Sequence, residues 1–331
     1  MKNLISIFLI LNTLLISNEL IKLFNAKLRG KFIDLPNSRS MHTVPTPTGA
    51  GIIFVVLTVL SSLIHILIEG SSLKYFIPIL CIPLAFISFL DDIYRVRPLL
   101  RYFFHILTSG SIVYASFIFS HNGYEYVFLN IFCFIFLTFI CTAIINFLNF
   151  MDGIDGIVGG GLFVSIFTCC IVLEVGQPYL ITLSSLLMFI FWNWNPAKIF
   201  MGDTGSTFLA AINIGLISMS NNLSEAFGLI LILTPYLVDP FVCVLRRYLY
   251  NQNIFKAHRL HLYQRLTQNG LKESYVSLIY ILSTTILSII YLSSGTLPTF
   301  IFSIILIMIG FYLDQNLAIS FETSIKRIKK I

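Results

Sequence analysis

Two adjacent carboxylates, Asp91 and Asp92, close an otherwise apolar stretch in Phe89-Leu90-Asp91-Asp92-Ile93-Tyr94. Neighbouring carboxylates repel. Both stay ionised at a membrane boundary only beside a cation, an arginine or a substrate dipole, so the pair points to binding chemistry. A hydrated helix end paired with Arg95 is the plainer alternative. In Asn146-Phe147-Leu148-Asn149-Phe150-Met151-Asp152-Gly153-Ile154-Asp155-Gly156, polar groups recur every third residue, which puts neighbours on one helical face. Gly153 and Gly156 let the backbone turn tightly against a ligand. Two amides, Asn146 and Asn149, and two acids, Asp152 and Asp155, suit the hydrogen-bonding edge of a base or a magnesium-linked phosphate. Polar contact between helices accounts for the asparagines but poorly for the aspartates.

A third run, Pro196-Ala197-Lys198-Ile199-Phe200-Met201-Gly202-Asp203-Thr204-Gly205-Ser206, sets Asp203 between two glycines, with Lys198 upstream. An acid there suits a hard cation such as Mg²⁺, which binds through few carboxylates plus substrate phosphates, and a helix N-terminus that follows favours anions. Lys198 either joins the phosphate or snorkels to head groups. A fourth cluster, His258-Arg259-Leu260-His261, precedes Gln264 and Arg265 in a basic loop. Neutral imidazoles bind metal and cationic ones grip phosphate; with no Cys or Glu nearby at zinc-site spacing, phosphate contact is the reading.

These clusters need a scaffold that brings them together. Of 331 residues, 57% are hydrophobic and 11% charged, which excludes a soluble globule, where the charged fraction is about a quarter. The composition predicts an all-α, polytopic membrane helix bundle with about eleven apolar runs of roughly 17 to 25 residues, each long enough to cross the hydrocarbon core. Their centres fall near Leu11, Val59, Leu84, Ala115, Leu137, Phe167, Leu187, Gly215, Leu233, Thr284 and Ile305. Lys and Arg crowd alternate loops, from Lys22 to Arg39, Arg95 to Arg101, Lys198, Arg246 to Lys272, and the tail, whereas the opposite loops hold only Lys2 and Lys74. The positive-inside rule then puts the N-terminus outside and the C-terminus in the cytoplasm. The whole of 1–331 reads as one transmembrane catalytic domain, with cytoplasmic loops near 22–48, 91–101, 146–157, 195–206 and 246–274 and a basic tail over 314–331. All the polar clusters thus meet on one face.

The loop from Pro36 to Gly49, which holds Arg39 and His42, is fixed and irregular by virtue of Pro36, Pro45 and Pro47. The first apolar run is read as a span, since no small-x-small cleavage site follows it. The tail spaces Leu317, Phe321, Ile325 and Ile328 as an interfacial helix, with a solvated tail as the alternative. All six cysteines lie in predicted spans without metal spacing and read as apolar filler. A net charge of +6 spread over juxtamembrane loops fits anionic membrane lipids and assigns no role to nucleic acid.

At this point the chain resembles the polyprenyl-phosphate N-acetylhexosamine-1-phosphate transferases. The carriers are the Pro45-Thr46-Pro47 loop, the Asp91-Asp92 pair, Asn149 to Gly156, Phe200 to Ser206 and the His258/His261 loop, in family order over nearly the whole chain. The resemblance implies transfer of a sugar 1-phosphate from a UDP-sugar to undecaprenyl phosphate, with release of UMP, in the bacterial inner membrane with the site facing the cytoplasm. It implies Mg²⁺, with Mn²⁺ as a substitute, on Asp203 and Asp152. Asp91 and Asp92 face the lipid phosphate, mainly for alignment. Asn146, Asn149, Asp152, Asp155, Phe200, Lys198, Arg39, His42, His258, Arg259 and His261 hold the substrates. A homodimer is compatible with this reading. Arg95 stands where many relatives carry an acid or amide, and His258-Arg259-Leu260-His261-Leu262-Tyr263-Gln264 replaces their adjacent histidines. That version resembles the branch that initiates O-antigen, which widens the donor from UDP-N-acetylglucosamine to UDP-N-acetylfucosamine or UDP-N-acetylquinovosamine. A transporter is the rival, but its polar residues should continue across the bilayer, whereas here Glu19 and Asp239 are the main charges placed within spans. Asp239 reads as an inward-facing structural contact.

Overall fold

A chain in hydrocarbon satisfies its backbone N–H and C=O groups only inside helices or closed barrels, and apolar runs this long therefore fold as helices. The computed structural model describes residues 2–28, 32–36, 40–116, 127–254, 256 and 258–329. Helix α1 (Lys2–Leu28) is followed by two short strands, β1 (Ile33–Asp34) and β2 (Thr46–Pro47), which pair antiparallel with Ile33 opposite Pro47. Then come α2 (Ile52–Glu69), α3 (Leu73–Leu80), α4 (Ile82–Tyr94), α5 (Pro98–Ala115) and α6 (Val127–Phe150). The order continues with α7 (Ile157–Val172), α8 (Tyr179–Asn193), α9 (Gly202–Ile217), α10 (Leu223–Ile232) and α11 (Thr234–Leu249). Helices α12 (Leu262–Gln268), α13 (Glu273–Ser294), α14 (Thr296–Asn316) and α15 (Phe321–Lys329) complete the described residues.

Among the described residues, 6 spans are supported by length and composition: Ser6–Lys27, Ile52–Glu69, Leu73–Tyr94, Asn130–Phe150, Glu273–Ser294 and Thr296–Asn316. Helices α10 and α11 meet at a 75° bend and add a seventh if they form one span. The expectation of about eleven therefore outruns what helix length and apolarity support. Its other centres fall in shorter or more polar elements: Phe167 in α7, Leu187 in α8, Gly215 in α9, Ala115 at the end of α5, and Leu233 at the bend itself. The main reason is length: α7, α8 and α9 run 16, 15 and 16 residues, short of the roughly 20 that cross the hydrocarbon core. Every residue of α9 from Thr204 to Ile217 is also buried, so this helix is surrounded by its protein neighbours.

Helix α9 packs against α4, α6 and α7, the elements whose ends carry the aspartate clusters. Hydroxyl pairs tie helices across the interior: Thr58 to Thr182 at 2.9 Å, Ser88 to Thr207 at 3.0 Å and Thr168 to Ser288 at 2.5 Å. Such contacts hold helices together where lipid tails are as apolar as leucine. Outward faces of α1, α2 and α14 expose large apolar side chains, including Phe8, Leu67 and Met308. The tail helix docks on the bundle: Phe321 is buried and lies under the guanidinium groups of Arg246 at 5.7 Å and Arg265 at 5.5 Å. Leu317, expected on the same stripe, precedes the helix and is exposed.

Candidate active site

A cavity of about 620 Å³ opens where the polar segments converge, within the size range of about 300 to 1,000 Å³ usual for ligand pockets. Its walls include Asp34 and His42, Asp91, Asp92 and Arg95, Phe150 and Asp152 to Asp155, Phe200 and Asp203, and Tyr263, Gln264 and Glu273. Segments distant in sequence thus supply one chamber.

The N-terminus of α9 is organised by a side chain from α4. A helix start leaves N–H groups without intrahelical acceptors. Asp92 supplies them: Oδ1 accepts the Asp203 N–H at 2.9 Å, and Oδ2 accepts the Thr204 N–H at 3.1 Å and its hydroxyl at 2.6 Å. Gly202 makes this approach possible, because its φ is +71° and a Cβ there would stand 2.4 Å from Asp92 Oδ2. Asp203 itself is held by Arg101 of α5. Nη2 of that arginine lies 2.6 Å from Asp203 Oδ2, and Nη1 lies 2.5 Å from Asp91 Oδ2. Asp91 Oδ1 accepts the Val96 N–H at 2.6 Å. One guanidinium therefore bridges two carboxylates at the cavity.

Asp152 sits deep among protein atoms yet opens on the cavity. Burial and the nearby carboxylates of Asp203, Asp92 and Asp155 push its carboxyl up to about 8. Asp155 is tied down instead: its Oδ2 accepts from Asn195 Nδ2 and from the Ala197 N–H, each at 2.9 Å, and its carbonyl accepts the Ser277 hydroxyl at 2.7 Å. Burial raises its carboxyl, and those hydrogen bonds work against the rise. Asp91, Asp152 and Asp203 line one cavity and offer carboxylate oxygens, the donor type that Mg²⁺ prefers.

A sequence model described as Glycosyl transferase family 4 matches residues 75–221, the stretch that contains Asp91, Asp92, Arg101, Asp152 and Asp203. The chain is 33% identical over 181 residues to a probable undecaprenyl-phosphate N-acetylglucosaminyl 1-phosphate transferase of Bacillus subtilis, covering 50% of each protein. It is 29% identical over 276 residues to a phospho-N-acetylmuramoyl-pentapeptide-transferase of Latilactobacillus sakei, covering 75% of this chain and 83% of that one. A transferase of the same description from Streptococcus thermophilus is 31% identical over 225 residues, 59% of this chain and 64% of the other. Over residues 75–221 the chain matches glycosyl transferase family 4. Its match spans half the length of the Bacillus subtilis relative.

The other expected site residues divide. Phe200 and His42 line the cavity with ring centroids 5.0 Å apart, and His42 Nε2 lies 3.8 Å from Asp34 Oδ2. Asn149 turns to α9, where its Oδ1 accepts the Ser206 hydroxyl at 2.5 Å, and Asn146 turns to α5, within 3.3 Å of His105 Nδ1. Neither lines the cavity. Lys198 is exposed and lies 5.3 Å over the Trp192 ring, also off the cavity wall. Arg259 donates to the Ser40 carbonyl at 3.3 Å and so links two loops. Arg39 lies outside the described residues.

The histidines are set behind the wall. His261 is buried, stacked on Tyr263 with centroids 5.6 Å apart. Burial disfavours its charged form, but the Cys243 sulfur and the Asp239 carboxylate outweigh this and raise it to about 9. Burial, with His261 and Arg247 nearby, lowers His258 to about 3. Asp239 fulfils the structural expectation: it accepts the N–H groups of Leu262 at 2.7 Å and Tyr263 at 3.1 Å and the Tyr280 hydroxyl at 2.7 Å. It thereby fixes the start of α12, which turns Tyr263 and Gln264 into the cavity. Tyr263 donates to the Phe150 carbonyl at 3.1 Å, and a Cβ on Gly153 would stand 2.1 Å from its hydroxyl. Sequence reasoning passed over Arg101, Tyr263 and Glu273. Arg101 left one usable signal, a cation one α5 turn inside the membrane end, close in sequence to the Asp91-Asp92 pair.

Proposed function

We propose that this protein transfers a sugar 1-phosphate from a UDP-sugar to undecaprenyl phosphate. An oxygen of the lipid phosphate attacks the phosphorus that bears the sugar, a new P–O bond forms, and the diphosphate P–O bond breaks to release UMP. A phosphate monoester has a second pKa of about 6, so the nucleophile is already ionised near neutral pH and needs no strong base. The chemistry is chiefly one of alignment and charge neutralisation. The observation that carries the reading is the bridge of Arg101 between Asp91 and Asp203 at the cavity. It places a bidentate phosphate-binding group beside the carboxylates that suit a metal ion.

Asp203 and Asp152 would hold Mg²⁺, with Mn²⁺ as a substitute; when bound, it neutralises the diphosphate and the approaching lipid phosphate. Asp91 aligns the lipid head group. Phe200, His42, Tyr263 and Gln264 shape the nucleotide-sugar side of the cavity. The donor is UDP-N-acetylglucosamine or its 6-deoxy relatives UDP-N-acetylfucosamine and UDP-N-acetylquinovosamine, and the product feeds O-antigen or another envelope polysaccharide. The basic loops favour an active site on the cytoplasmic face of the bacterial inner membrane, beside anionic lipids.

The test is UMP release by the purified protein supplied with undecaprenyl phosphate, Mg²⁺ and a panel of UDP-sugars. UMP formation with one donor, dependent on both lipid and metal, supports the reading. A folded protein that releases none from any donor refutes it.

A further inference from the structure

We infer that Cys243, His258 and His261 form a second metal site, for a borderline transition-metal ion such as Zn²⁺, behind the wall of the catalytic cavity. Each offers one ligand atom, and these atoms all lie within 4.8 Å of one another. Tetrahedral zinc holds nitrogen and sulfur donors roughly 3.5 Å apart, so a modest contraction closes the set. The donors come from two elements: Cys243 from α11 and the histidines from the loop before α12.

A buried nitrogen supplies an independent indication. His261 Nδ1 is enclosed, has no hydrogen-bond partner, and stops 3.6 Å short of Asp239 Oδ1. An enclosed polar atom without a hydrogen bond is costly, and a metal ion that takes the place of the ring's proton and is shared with the neighbouring donors removes that cost. Cys243 and His261 are 3% and 4% exposed, while His258 is partly open and gives an entry path. His258 Nδ1 accepts the Leu260 N–H at 3.3 Å, at the long end for a hydrogen bond, so little is given up when the ring turns to an ion.

The ligand chemistry separates this site from the carboxylate cavity. Two imidazoles and a thiol select Zn²⁺ or a similar ion over Mg²⁺, which prefers oxygen. Its role is positional. A metal there fastens the loop carrying His258 and His261 to α11, and that loop leads into α12, whose Tyr263 and Gln264 line the cavity. None of the three ligands touches the cavity.

The experiment uses the full chain, purified in detergent without a polyhistidine tag, equilibrated with Zn²⁺, desalted and assayed for bound metal. Wild type should retain about one zinc per chain and Cys243→Ser roughly tenfold less or lower. Asp203→Asn should retain as much as wild type, since its site is separate. Cobalt exchange gives a second readout on wild type alone, a thiolate-to-cobalt absorption band. That reading decides the matter even if Cys243→Ser fails to fold. Wild-type protein that keeps no more zinc than Cys243→Ser, or takes up cobalt without the thiolate band, overturns the inference.

Discussion

Asp92 caps the helix that begins beside it with Asp203. The Asp203 N–H reaches Asp92 Oδ1 at 2.9 Å, and Thr204 adds two further bonds to Oδ2. With its oxygens so engaged, Asp92 acts by holding α9 in place, while Asp91 and Asp203 share Arg101 at the cavity. The adjacent pair therefore divides its labour. Asp92→Ala should lower stability by about 1–3 kcal/mol as the α9 donors lose their acceptor, and should also lower turnover. Asp203→Asn should leave the melting temperature near wild type and cut UMP release on the order of 10²-fold or more. Thermal melts beside UMP assays check both, and a fully active Asp203→Asn would remove its proposed metal role.

Arg101 offers a geometric test. A guanidinium spans two carboxylates or one phosphate bidentately, whereas an ammonium acts as a point charge. Arg101→Met should reduce kcat/KM by roughly 10²-fold, with Arg101→Lys intermediate. Steady-state kinetics with lipid phosphate and UDP-sugar varied in turn would show which substrate the arginine serves.

Asp152 predicts a pH dependence. Its folded carboxyl is raised from 3.8 to about 8, so between those values the folded chain holds a proton that the unfolded chain has lost. Stability of the metal-free protein should therefore fall as pH rises through this window, with the slope flattening as pH reaches about 8. Mg²⁺ should restore it, and the Mg²⁺ concentration needed for activity should drop as pH rises. Melting temperatures from pH 6 to 8.5, with and without Mg²⁺, measure the slope; Asp152→Asn should flatten it.

Gly202 carries a steric prediction. A methyl group there meets both a positive φ and Asp92 Oδ2 at 2.4 Å. Gly202→Ala should cost about 1–3 kcal/mol in stability and disturb the Asp203 position, lowering activity beyond what the stability loss explains. A melt and a UMP assay at low temperature separate the two effects.

The aspartate segments were legible because polar residues are few in such an apolar chain and fall at the ends of runs. Asp91, Asp92, Asp152, Asp155 and Asp203 indeed line one cavity. Arg101 was hidden by its company: among juxtamembrane cations, head groups are the default partner, and only its nearness in sequence to the Asp91-Asp92 pair set it apart. Asn146 and Asn149 share the periodicity of Asp152 yet face neighbouring helices, since a stripe fixes a face and not what meets it. Cys243 looked like filler because its histidine neighbours are brought to it by the fold and not by sequence spacing. The span count exceeded the supported number because apolar composition does not reveal where a helix stops, and α7, α8 and α9 end after 15 or 16 residues.

The enclosure of α9 bears on how the protein can change. With no side open to lipid, the helix that starts at Asp203 feels variations in bilayer thickness or fluidity only through its protein neighbours. The cavity is insulated, and if the proposed transfer holds, drift in donor choice is expected at the rim, around His42, Phe200 and Gln264, where a substitution disturbs fewer neighbours.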